Sequence, residues 1–160
     1  MTDSLPAAFD GAALDNPAFE NASFPNAGLE NAVIDFPEGL PGFGGQRQFV
    51  LLRPPDLDPV PLLENISEKT ASLAVVAVEA VDRSYRLTMT LEDRQALGLE
   101  VEPQLSKNVL CLAVIVLAGH GKAPTCNLLA PIVINPANRR AKQIIQMESE
   151  YSIAHPLTGA

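Results

Sequence analysis

Residues 107–146 hold the longest apolar run in the chain, then a glycine turn, then a second apolar run, and few folds accommodate that order. The first run, 109–118, is β-branched and leucine-rich, with no polar residue on either face. A strand buried on both sides has this pattern, and so does a buried helix. Length and punctuation favour the strand, because the run ends at Gly119-His120-Gly121 and closely spaced glycines are turn chemistry. The second run, 125–134, contains Pro131, which cannot donate to a β ladder. A bend or bulge is expected there. Asn135-Pro136 closes this run, and residues 141–146 supply a third strand. The reading is a three-stranded antiparallel meander at the centre of a small, mainly β domain.

A length of 160 residues fits one domain, and 47% hydrophobic residues can fill its core. Aromatic residues make up only 5% and tryptophan is absent, so that core must be aliphatic. The formal net charge of −8 argues against direct contact with a nucleic acid backbone, which needs a basic footprint. It favours a basic protein partner. The first ten residues, MTDSLPAAFD, lack the basic and apolar regions of a signal peptide. The 109–118 run is short of the roughly 20 residues that span a bilayer. A cytoplasmic protein without membrane contact is therefore expected. Cys111 and Cys126 do not make a disulfide framework. With the first hairpin closed over residues 119–124, Cys126 faces Leu117, and the thiols lie on the order of 20 Å apart at strand rise. Both are expected to be buried and inert.

The N-terminal segment carries a period of five: Phe9, Leu14, Phe19, Phe24, Leu29 and Ile34, with alanine two positions earlier in most units. An acid follows most of these residues, and asparagine follows the acid. The pattern resembles the pentapeptide repeat, whose family folds into a square β-helix. A square coil takes about four units and needs stacked neighbours to bury its faces. A partial coil docked on the main domain and an extended arm both remain open. Residues 1–30 are read as an acidic, repeat-like segment and residues 31–157 as the β domain. No lysine or arginine precedes Arg47, while seven carboxylates do.

Residues 35–45 combine two prolines with four glycines, which makes an irregular loop with fixed bends. Phe36, Leu40 and Phe43 are placed to pin it to the core. Strands are expected at 48–52 and 72–81, with a short apolar piece at 62–66 and weak alternation at 85–89. Thr90-x-x-Asp93 is a capping box opening a short helix, Gly98 is placed to end it, and Leu91 and Leu97 give it an apolar face.

Most catalytic constellations fail on inventory. There are two histidines, His120 and His155, neither with a second ligand at metal spacing. The nucleophile elbow G-x-S-x-G is absent, and Gly121-Lys122-Ala123 breaks the P-loop pattern. Cys111 lacks the electropositive surroundings of a reactive thiolate. Arg139, Arg140 and Lys142 form a basic cluster that reads as a solvated strand end. No cofactor, metal or catalytic residue is expected, and the chain reads as a binding protein.

Two separated segments carry a more specific resemblance. Phe36-Pro37-Glu38-Gly39-Leu40-Pro41-Gly42-Phe43, followed by Gln48-Phe49-Val50-Leu51-Leu52, resembles the first signature of the flagellar assembly factor FliW family. Residues 125–135 (TCNLLAPIVIN) resemble the second, and Tyr151-Ser152-x-x-His155-Pro156-Leu157 follows in family order. The resemblance implies a small antiparallel β-barrel-like domain with one or two short helices, and no enzyme activity. It implies two protein partners. One is the post-transcriptional regulator CsrA, whose repression of flagellin translation the family relieves. The other is flagellin, which releases CsrA in a partner switch. A monomer is expected when the protein is free. Phe36, Glu38, Leu40, Phe43 and Asn127 are the candidate contact residues. Pro37, Gly39, Pro41, Gly42, Pro131 and Asn135 are expected to be structural, with Asn127 and Asn135 satisfying backbone groups around the Pro131 bend. The competing reading is a pentapeptide-type interaction scaffold whose function lies in residues 1–30.

Overall fold

Gln48–Leu52 is apolar after its first residue, and in the computed structural model it forms a strand whose burial alternates, with Phe49 and Leu51 turned inward. The structure describes residues 29, 31–57, 60–67, 72–105, 107–117 and 123–157. Most of the period-five segment and the Gly119 to Lys122 turn with His120 lie outside these residues. The strands are β1 (Val33–Asp35), β2 (Gln48–Leu52), β3 (Leu62–Asn65), β4 (Ser72–Ala77), β5 (Leu110–Val116), β6 (Thr125–Cys126), β7 (Ile132–Asn135), β8 (Arg140–Gln143) and β9 (His155–Pro156). Two short helices, α1 (Val78–Val81) and α2 (Leu91–Leu97), lie between β4 and β5.

Seven strands close on themselves in the order β4-β3-β2-β1-β8-β7-β5, with β5 pairing back onto β4. The expected β-barrel-like domain is therefore present. Its neighbours run antiparallel except at one seam, where β1 meets β8 in parallel through Asp35 and Arg140. β6 and β9 extend the sheet from the far end of β5.

The founding apolar run has a direct explanation. Leu110 and Leu112 of β5 enter one cluster with Ile34, Phe49, Leu63 and Val75, which is the barrel interior. Cys111, Ala113 and Ile115 enter a second cluster on the outer face, covered by Tyr85, Leu97 and Leu157. Both faces of β5 are thus buried, so neither tolerates a polar residue.

Several expectations need correction. The second apolar run is two strands, since residues 127–131 turn away between β6 and β7, and both strands pair with β5. Cys126 stands opposite Ile115, two residues from the expected Leu117, and Cys111 opposite Val133. The 72–81 strand stops at Ala77, and Val78–Val81 coils into α1; a short apolar run does not distinguish the two states. The third strand of the meander stops at Gln143. Beyond it, Ile144 and Gln146 donate to Pro131 and Leu129 carbonyls without a ladder.

Helix α2 has the expected caps. The Thr90 hydroxyl accepts from the Asp93 amide at 3.0 Å, and Gly98 ends the helix with φ +70°. The left-handed backbone favours glycine there, and a Cβ on Gly98 would also press on the Asn138 amide at 2.7 Å. Leu91 is 64% exposed and contributes nothing to an inward face; Leu97 alone is buried.

Candidate partner-binding groove

The first signature loop is built by its glycines and aromatic rings. Gly39 and Gly42 take φ of +77° and +88°, which lets the chain double back within a few residues. Phe36 N donates to Arg47 O at 2.7 Å, and Leu40 N donates to Gln46 O at 3.2 Å, closing the loop base. Phe36 and Phe43 both meet Phe49 edge-on, with ring centroids 5.4 Å apart in each case. Phe36 and Leu40 are buried, so their part in any surface is to set the loop's shape. Phe43 is half-buried, and Pro41 and Glu38 are exposed. The Glu38 carboxylate lies 3.4 Å from Lys142 Nζ, which lies 2.6 Å from Asp93 Oδ1. Lys142 is therefore an ion-paired bridge between loop and helix, not a member of a solvated cluster. Its hydrogen bond to Asp93 holds its pKa above the ordinary lysine value.

The second signature is fixed by asparagines. Asn127 Oδ1 accepts from the Leu129 and Ala130 amides at 3.1 and 3.0 Å, turning the chain toward buried Pro131. Gln143 Nε2 donates to Ala130 O at 2.9 Å, so β8 holds the bend in place. Asn135 does something the sequence reading did not foresee. Its Nδ2 donates to Leu97 O at 2.7 Å, satisfying the C-terminus of α2 across the fold.

These two signatures, more than 70 residues apart in sequence, converge on one groove of about 260 Å³. Leu40, Pro41 and Phe43 come from the first signature, Asn127 from the second, and Leu73, Val114, Val116, Gln143 and Ile153 complete the lining. Val116 is 51% and Ile153 61% exposed. Sequence reading missed both. Val116 was hidden inside the apolar run, and Ile153 lies in an irregular tail. Alternation gave no signal, because Val116 shares the face of Leu110, Leu112 and Val114 and is exposed at the end of β5.

The chemistry available elsewhere is sparse. Among the described residues, no group of three histidine, cysteine or acidic side chains is placed to hold a metal. Cys111 and Cys126 are free and buried. Burial pushes the Cys126 thiol up to about 12, and burial with Glu79 nearby pushes Cys111 well above the thiol range. Both groups then ionise more easily in the unfolded chain, near pH 8.5. Their contribution to stability is complete below that pH and is lost as pH rises through the folded values. Each thiol should remove on the order of 1 kcal/mol of stability per pH unit above about 8.5. Urea unfolding at pH 8 and pH 10 under reductant checks this, and Cys126→Ala should flatten the dependence.

The FliW family model, described as FliW protein, matches residues 23–157. The flagellar assembly factor FliW of Pseudothermotoga lettingae is 41% identical over 123 residues, covering 77% of this chain and 76% of that protein. The chain belongs to the FliW family. Its FliW relative from Bacillus subtilis is 29% identical over 127 residues, covering 79% of this chain and 86% of the relative. A crystal structure of the flagellar assembly factor FliW superposes with a TM-score of 0.67 at 25% identity, covering 82% of this chain and 87% of that one. The FliW match contains both signature segments and every residue lining the groove. Among the described residues, no helix is long and apolar enough to cross a membrane.

Proposed function

We infer that this chain works in flagellar assembly by binding CsrA, so relieving repression of flagellin translation, and by binding flagellin, which displaces CsrA. It acts in the cytoplasm as a monomer when free, without catalysis and without a cofactor. Its membership of the FliW family across residues 23–157 carries this reading. The groove between the two signatures is the proposed contact surface, with Phe43, Val116 and Ile153 as apolar anchors and Glu38 as an exposed acid of the first signature. Anchors of this kind, partly exposed and backed by a rigid core, dominate protein interfaces.

The net charge of −8 fits the same role. A protein that holds RNA must be basic, and an acidic partner docked beside the RNA site adds repulsion as well as bulk. Antagonism of CsrA should therefore weaken as salt rises, because the Debye length shrinks from about 10 Å at 0.1 M to about 3 Å at 1 M. Co-purification of CsrA and flagellin with the tagged chain, at low and high salt, tests the reading. Binding of neither at low salt refutes it, and binding of CsrA that salt leaves unchanged refutes the electrostatic part.

Residues 1–30 are proposed to be an appended acidic segment. Leu29 and Ala32 pack into the barrel interior, so a deletion that tests this must stop at residue 28. CsrA binding that survives the deletion supports the β domain as the functional unit. Loss of binding with the fold intact favours the scaffold reading.

A further inference from the structure

A second and larger groove shares no lining residue with the first. It has a volume of about 730 Å³ and runs between the extended segment 86–90 and the segment 144–151. Its lining includes Met89, Ile144, Ile145 and Met147. Met147 is 81% and Ile145 57% exposed, and Leu91, beside the lining residue Thr90, is 64% exposed. Single exposed apolar residues are ordinary on a protein surface, but Ile145 and Met147 line one concavity together.

The walls are held rigidly. Gln146, 1% exposed, accepts from the Thr88 amide at 2.8 Å and the Thr88 hydroxyl at 3.0 Å, and it donates to Thr88 O at 3.1 Å. The Tyr151 hydroxyl accepts from the Arg86 amide at 2.8 Å, and the Tyr151 ring stacks on Tyr85 at 4.2 Å. The groove is thus preformed, so an occupant need not pay for shaping it. The same bonds work against one binding mode: an added strand would find the Arg86 and Thr88 amides already taken. A helix, which docks through its side chains, needs neither amide.

Charge selects the kind of helix. Glu148 and Glu150 line the groove and are exposed, and Asp93 is already paired with Lys142. Arg86 is the one basic residue among those lining it. Within a chain of net charge −8, this is an acidic rim beside an apolar lining that includes Met89 and Met147. Methionine adapts to varied apolar partners. The geometry points to this groove as a docking site for a cationic amphipathic helix of a protein partner, laid with its apolar face on Ile145 and Met147. The inference stands independently of CsrA and flagellin binding at the first groove, and it allows two partners to be held at once.

The test uses the full chain and a labelled synthetic peptide of about five helical turns, with leucines at i, i+3, i+4 and i+7 and lysines elsewhere. Two controls have the same length: a scrambled peptide of identical composition, and an analogue with glutamate for lysine. Fluorescence anisotropy should show saturable binding of the first peptide only. Ile145→Ser with Met147→Ser should weaken it at least tenfold, while Val116→Ser with Ile153→Ser leaves it unchanged. Both pairs are exposed, so each variant's circular dichroism and thermal unfolding should match the parent. Equal binding of the scrambled or acidic peptide, or of the Ile145/Met147 variant, overturns the inference. So does insertion of the Met147 face into phosphatidylcholine vesicles with no peptide binding, which would make it a membrane surface.

Discussion

Phe49→Ala should remove about 4 kcal/mol of stability and weaken partner binding in the same protein. Phe49 is 0% exposed and sits in the barrel interior on β2. Truncation costs the transfer energy of the ring plus the cavity left behind, roughly 3–5 kcal/mol in well-packed cores. It also removes two edge-to-face contacts, with Phe36 and Phe43, each worth about 0.5–1.5 kcal/mol. Against a total stability of about 5–15 kcal/mol for a domain, that is a large share. The functional loss follows from the same geometry. Phe43 forms part of the groove and leans on Phe49, so the anchor loses its backing. A urea midpoint shift with unchanged slope measures the first effect. Phe49→Leu should recover more than half of the stability. A loss below about 1 kcal/mol would mean that the loop is not seated on this ring.

Val116→Ser combined with Ile153→Ser should separate binding from folding. Both side chains are more than half exposed, so stability should move by no more than about 0.5 kcal/mol per site. Central apolar anchors of an interface are worth 2 kcal/mol or more, which corresponds to an affinity loss of at least about 30-fold. CsrA and flagellin affinities, measured by calorimetry, check this. The alternative pair suggested by sequence, Leu40→Ala with Phe43→Ala, is a poorer test. Leu40 is 3% exposed, so its truncation would disturb the loop whether or not it meets a partner. Unchanged affinity for both partners in the Val116/Ile153 variant would place the contact surface elsewhere.

The parts of this fold legible in sequence are those where one local rule decides. Gln48–Leu52 is a short apolar run ended by Pro54-Pro55, and it becomes β2 with the expected ends. Thr90 and Gly98 have capping roles set by local backbone geometry, and both perform them, while the Asp93 carboxylate pairs with Lys142. The β5 run could be assigned because burial on both faces leaves no room for a polar residue. What could not be read depends on contacts distant in sequence. Asn135 looked like a local partner of the Pro131 bend, but its amide is used by Leu97, 38 residues away. Lys142 looked solvated because Asp93 and Glu38 are remote in sequence. Register in the β5–β6 pair shifted by two residues, since the apolar pattern is the same in either register. The groove was half visible. Both signatures carry recognisable turn residues, but Val116 and Ile153 acquire their place only when the barrel closes.

The central claim is that this chain takes CsrA away from flagellin messenger RNA and yields it again when flagellin is present. A labelled flagellin message bound to CsrA, titrated with the purified chain and then with flagellin, tests it in one experiment. The account predicts release of the RNA as the chain is added and its recapture by CsrA as flagellin is added, both effects lessened by the Val116/Ile153 substitutions. RNA that stays bound to CsrA at saturating chain, under low salt and with the chain folded, would contradict it.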